Sequence, residues 1–388
     1  MKKIGKSIFA ILCACVLSMS FFACDGATDN SDMGSLEGSG SVDVSGSTDD
    51  SNEGSSDESN SEGNSDSVEE LPASKNLEYE RNADGASYMV KSKGTCPDYD
   101  VVIPSTYEGL PVTAIADSAF QSQRFLESVT IPEGVKTIGV CAFSRSRNLR
   151  RVVMPESVET LGKEAFYDCS ALEEVVLGKY ITNIQDSTFY NCCNMKSIVL
   201  PDDVQFIGVS AFSNCQKLES IEVGNSLKDI QQNAFFSCKK LKSIVFPDTL
   251  IAIGENAFQY CAELESVTFG NKLRRIRYAA FNACRALREI VFPDSMEELG
   301  ESAFLSCTAL TSVVIGNGIE RIEKSTFENC ESLTTVTIGS KVNFIGMSAF
   351  RNCTALAKVY YKGTEEGWNS MTIGGSNSPL QDAEREYI

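Results

Sequence analysis

The stretch that decides the fold runs from Leu264 to Cys284 and reads LESVTFGNKLRRIRYAAFNAC, and it returns from Leu333 to Cys353 as LTTVTIGSKVNFIGMSAFRNC. Working outward from its phenylalanine, the same residue recurs every 23 positions: 120, 143, 166, 189, 212, 235, 258, 281, 304, 327 and 350. Eleven copies at one constant spacing define a repeat array, and repeats have to be sought before domains are counted. Five residues before each Phe stands Ile or Leu, from Ile115 to Ile345. Six residues after it stands Leu in ten copies, with Met195 the exception. Nine and eleven residues after it the chain is again apolar, as in Val129 and Ile131 or Val336 and Ile338. That alternation is a strand period, two side chains inward with one outward between them. Pro or Gly follows directly in ten copies and ends the strand. No single turn can bury its Leu, Ile and Phe alone, so stacked neighbours must supply the missing wall.

These residues, including FLESVTIPEGVKTIGVCAF over 125–143, resemble the BspA-type leucine-rich repeats of bacterial surface proteins. The resemblance implies a leucine-rich-repeat-type right-handed solenoid, β-rich, of eleven 23-residue turns. Each turn would hold a short parallel strand, a second extended segment fifteen to eighteen residues after the Phe, and a tight helical turn at the Ala-Phe pair. At ~4.8 Å per rung the body is expected to be about 50 Å long. Solenoid is expected over 115–361, an N-terminal cap over 75–114 and a C-terminal cap over 362–388. Terminal rungs need such covers because they would otherwise expose core and strand edge. The lone tryptophan, Trp368, belongs to the last segment, where it serves either the cap or an aromatic binding site.

Ahead of the repeats the composition changes twice. Lys2, Lys3 and Lys6 precede an apolar run from Ile8 to Ala23, the order of a signal peptide (1–23). The stretch Phe21-Phe22-Ala23-Cys24 resembles a bacterial lipobox, with Phe21 where leucine is usual; the resemblance implies cleavage before Cys24 and lipidation of its thiol. Ordinary cleavage after Ser20 and an uncleaved anchor stay open. Residues 24–74 form an acidic Ser/Gly/Asp linker, expected to be disordered because it has too few large apolar side chains to offset chain entropy. Residues 25–74 hold fourteen Asp or Glu and no Lys or Arg, which accounts for most of the net charge of −19. No basic excess is left to replace phosphate counterions, so nucleic acid is not an expected partner.

The chain has no histidine, so every mechanism that needs an imidazole is excluded. The repeats carry no nucleophile motif, phosphate-cradling loop or metal signature, and no enzyme activity or cofactor is expected. Nine cysteines stand three residues after the Phe: 169, 192, 215, 238, 261, 284, 307, 330 and 353. Stacked neighbours would have parallel Cα–Cβ vectors, whereas a disulfide needs the Cβ atoms pointing at each other ~3.8 Å apart. A column of buried thiols is the favoured reading, with disulfides and metal ligation left as alternatives. A second beat of 46 residues overlies the first: strands end in Pro at 155, 201, 247 and 293 but in Gly at 178, 224, 270 and 316. Glu127, Arg150, Glu173, Lys196, Glu219, Lys242, Glu265 and Arg288 alternate in charge on the same beat, which would set opposite charges side by side on neighbouring rungs.

Two features suit ligand binding. Val153, Val176, Val199, Val245, Val291 and Val314 take the outward strand position and would form an apolar stripe of the kind that marks partner surfaces, unless valine is there only because it suits a strand. Arg274, Arg275 and Arg277, with Lys272, Arg285 and Arg288, form a basic cluster able to attract an acidic ligand such as a sulfated glycan, or else a solvated face. The expected function is a non-catalytic, adhesin-like binding protein, secreted, lipid-anchored at the bacterial surface and monomeric. It would meet a protein or glycan on host or neighbouring cells through the solenoid face and touch the membrane only through its lipid. A structural lipoprotein that organises its own envelope and a glycan-capture lipoprotein are the alternatives.

Overall fold

A computed structural model describes residues 72–388. The signal peptide, Cys24 and all but the last three residues of the acidic linker lie outside the described residues. The described chain winds into a β-solenoid of about 13 turns of ~23 residues, the eleven Phe-marked turns being extended by a segment at each end. Two parallel ladders run along the coil. The first contains three-residue strands such as Arg151–Val153, Glu174–Val176, Ser243–Val245 and Ser266–Thr268, paired so that Val152 faces Val175 and Ile244 faces Val267. The second contains two-residue strands such as Asp229–Ile230, Ala252–Ile253 and Arg275–Ile276. In both ladders register advances by one repeat per rung, since each strand buries its central or final apolar residue on the same line.

Between the ladders the Phe column closes the core. All eleven rings are fully buried, and consecutive rings stack with centroids 4.9 to 5.7 Å apart. Each stack adds about 0.5–1.5 kcal/mol to what burial of the ring contributes. The Ala-Phe segment is a tight turn as expected, but its bonds are those of successive i→i−3 turns: Ala257 N–H reaches Gly254 O and Gln259 N–H reaches Asn256 O. In every turn the residues two before and two after the Phe are non-glycine residues in the left-handed region, such as Asn233 (φ 56°) and Ser237 (φ 61°). This alternation turns every second N–H along the coil axis. Asn233, Phe235 and Ser237 donate to the carbonyls of Glu255, Ala257 and Gln259 in the next turn, at 2.7 to 2.9 Å. The turn is thereby a third ladder, which offsets the conformational strain with bonds that an isolated turn would leave to water.

The 46-residue beat has a steric cause. In the Pro-ended turns Leu200, Phe246 and Phe292 are buried, and each donates its N–H to the next rung at 2.9 Å. The following Gly-ended turn nests on the proline: a Cβ at Gly224 would lie 2.5 Å from the Pro201 carbonyl oxygen, and one at Gly270 would collide with that of Pro247. In these turns Leu177, Val223 and Phe269 are only partly buried. The first ladder is interrupted after Glu174–Val176, Ser220–Glu222 and Ser266–Thr268, each time between a Gly-ended turn and the next Pro-ended one. Proline-then-glycine is thus the tightly joined pair.

At the C-terminal end Asn377 substitutes for a missing turn. Its Oδ1 accepts the Phe350 N–H at 2.9 Å, and its Nδ2 donates to Gly346 O and Gly374 O. Trp368, on the helix Glu365–Ser370, is buried, with the Arg385 guanidinium 4.2 Å from its ring centroid and Tyr361 against its edge. An indole enclosed in this way is not presented to a ligand.

Candidate binding surfaces

The nine column thiols point inward, and each sulfur approaches the Phe carbonyl of the preceding turn, from Cys169 to Phe143 at 3.1 Å through Cys353 to Phe327 at 3.2 Å. Ser146, which takes the position one turn earlier, makes the same bond through its hydroxyl to Phe120 O at 2.7 Å. From the second turn on the position therefore carries a small donor, whereas the first Phe turn has the half-buried Gln123 there. All twelve cysteines among the described residues are unpaired. Burial pushes the column thiols up, Cys307 and Cys353 to about 12, so they stay protonated and unreactive at neutral pH. Cys141 and Cys193 lie outside the column and are partly exposed. Among the described residues no group of His, Cys, Asp or Glu is arranged to hold a metal ion.

The outward position of the first ladder carries the valines as expected. Val199, Val245 and Val291 are the most exposed of them, at 59%, 66% and 63%; Val153 and Val176 are less so, and Val314 is half-buried. The stripe is not continuous. Glu222 pairs beside Val199, and Thr268 beside Val245. Serines flank it on the same face, among them Ser197, Ser220, Ser243 and Ser266. The result is a row of separate apolar contacts set in hydroxyls, with shallow hollows of about 410 Å³ beside Val153 and 460 Å³ beside Val245.

The basic cluster does not hold together. Arg274 turns to Glu297 at 2.9 Å and Arg288 to Glu265 at 3.5 Å. Arg275 and Arg277, on either side of inward Ile276, turn instead onto the second ladder. There they border an open depression of about 610 Å³ with Asp229, Gln231, Ala252 and Gly254. Burial raises the Asp229 carboxyl while Arg277 and Arg275 hold it down. Linear adjacency had grouped three arginines that strand alternation separates, and it gave no sign of Asp229 or Gln231, which lie two turns earlier. The outward columns six and four residues before each Phe carry that signal: Asp229 and Gln231, Ala252 and Gly254, Arg275 and Arg277 on consecutive turns.

The alternating charges seven residues after the Phe meet only in part, at Lys242–Glu219 and Arg288–Glu265. The principle extends elsewhere, since nine of the fourteen ion pairs among the described residues join side chains 23 apart.

A coil of short parallel strands closed by a leucine and phenylalanine core is a leucine-rich-repeat solenoid. The chain belongs to the BspA-type leucine-rich-repeat family, whose model matches residues 113–242 and 228–357, with six copies of the repeat. Among solved structures it is similar to a leucine-rich cell surface protein from Faecalibacterium prausnitzii, 26% identical over 78% of this chain and 98% of that one, with a TM-score of 0.50. A leucine-rich repeat protein from Bacteroides ovatus is 24% identical over 82% of this chain and 100% of that one, with a TM-score of 0.44. The pneumococcal vaccine antigen PcpA is 20% identical over 75% and 82%, with a TM-score of 0.43. No curated protein matches the chain. No helix of the described residues is long and apolar enough to cross a membrane.

Proposed function

We propose that the chain is a non-catalytic binding protein of the bacterial surface, anchored by a lipid on Cys24, which meets a protein or glycan on host or neighbouring cells through the outward face of the first ladder. The observation that carries this reading is the row of exposed valines, repeated on successive segments of the first ladder and set among hydroxyls. Apolar side chains kept outside on a regular scaffold fit a partner surface. Val199, Val245 and Val291 together replaced by threonine, which the same column already holds at 130, 268 and 337, should leave the fold intact and weaken capture of the partner from host or bacterial extracts about tenfold. Unchanged capture would remove this face from the account. On intact cells, added protease should cleave the solenoid; full protection would favour a partner in the cell's own wall. Radiolabelled palmitate should enter the native protein and not a Cys24→Ser variant.

A further inference from the structure

The geometry points to a second site, on the other ladder, that takes a sugar unit bearing a carboxylate. It goes beyond the partner surface proposed above and does not use the valine face. Its floor exists because one turn is short of side chains. The outward positions of the second ladder carry Asp229 and Gln231 on one turn, Ala252 and Gly254 on the next, and Arg275 and Arg277 on the third. In-register pairing sets Asp229 against Ala252 and Ala252 against Arg275, so the acidic and basic walls face each other across a single recessed rung. Two rung spacings separate the walls by about 9.6 Å at the backbone, the scale of one pyranose ring with its substituents.

The guanidiniums act on Asp229 only across the recess, without direct contact. Among the described residues neither Arg275 nor Arg277 forms an ion pair, whereas Arg274 beside them takes Glu297. The Arg275 Nε is buried and has no hydrogen-bond partner, although Glu298 is its in-register neighbour on the next turn and Asp229 stands across the recessed Ala252 rung. A buried N–H without a partner is costly, and a ligand oxygen delivered there would remove that cost. A guanidinium fork matches a planar carboxylate in two parallel bonds. The opposite wall suits hydroxyls: the Asp229 carboxylate and the Gln231 amide oxygen accept them, and the amide nitrogen donates to them. Asp229 and the nearby Glu255 repel a second negative charge, which favours a monoanionic carboxylate over a doubly charged phosphate.

The test uses the full chain with five probes: sialyllactose, lactose, an oligogalacturonate, its methyl ester and an acetylated acidic peptide. Sialyllactose, the oligogalacturonate or both should bind, and which of them does identifies the type of acid sugar. Lactose and the ester should not. Replacing both Arg275 and Arg277 by Gln should weaken binding by about tenfold or more, the scale of a lost charged hydrogen bond. Ala252→Phe should abolish binding in a chain that still unfolds cooperatively, because the same column already carries Phe206 and Phe344. The inference is overturned if no acidic sugar binds, if the ester binds as well as the acid, if Ala252→Phe binds normally, or if an acetylated acidic peptide is preferred to the sugars. Ala252→Phe leaves the valine face untouched, so partner capture that persists alongside a failed sugar test would count against this site alone.

Discussion

Each column cysteine occupies a buried place where a donor is useful, since a Phe carbonyl of the preceding turn points at it. Thiols held protonated by burial make stability depend on alkali. Their folded pKa lies above the ordinary 9.0, so their contribution is complete below pH 9 and is lost as pH rises through the folded value, about 12 for Cys307. Between these limits each thiol costs about 1.4 kcal/mol of stability per pH unit. Denaturant unfolding followed from pH 8 upward should show a steep fall beginning near 9, and replacing several column cysteines by serine, as Ser146 already does, should make the fall shallower. In the native state, alkylation without reductant should label Cys141 and Cys193 and spare all nine column thiols; in denaturant the nine should react too. The column was legible in the sequence because the spacing is strict. The bond each thiol makes was not, because it depends on where the turn aims a carbonyl. Asn377 was equally invisible: its two roles at the last Phe turn come from the end of the coil, where no repeat exists to compare with. Asn377→Leu leaves the Phe350 N–H buried without an acceptor and should cost about 1–3 kcal/mol in a urea titration.

At the scale of one turn, the apolar positions and the strand period could be read directly, since the Leu, the Phe and the Ile or Leu five before it are buried alike in turn after turn. The tight turn could not be read in detail. Left-handed residues are usually signalled by glycine, and here Ser, Asn, Ala, Cys and Tyr take those positions because the next turn's carbonyls reward the conformation. The proline–glycine alternation was visible as a pattern, but only the backbone contact explains it. Gly224→Ala should therefore destabilise by about 1–3 kcal/mol, as overpacking against a fixed carbonyl does. Gly375→Ala is the control: a Cβ there meets nothing within 4 Å, and its effect should stay within about 0.5 kcal/mol.

Over the whole molecule, the coil makes function a matter of columns, because residues one repeat apart become neighbours while residues side by side in sequence are sent to different faces. Arg274 and Arg275 show the second effect, and the charge pairs 23 apart show the first. The valine row was legible as a candidate because it repeats. The depression at Ala252 was not, because it is a single departure from the pattern spread over three turns. Surface ion pairs of this kind contribute about 0–1 kcal/mol each, so they set register more than they hold the coil together. Stability belongs instead to the buried columns and the three ladders between turns, which gives the middle of the coil two supporting neighbours and its ends only one.

Amide hydrogen exchange tests that account most directly. If the Ala-Phe turns form a third ladder, the N–H groups of Asn233, Phe235 and Ser237 and their equivalents in the central turns will exchange as slowly as those of the strand Ser243–Val245, with protection falling toward both ends of the solenoid. Turn amides that exchange at loop rates while the strands stay protected would contradict it.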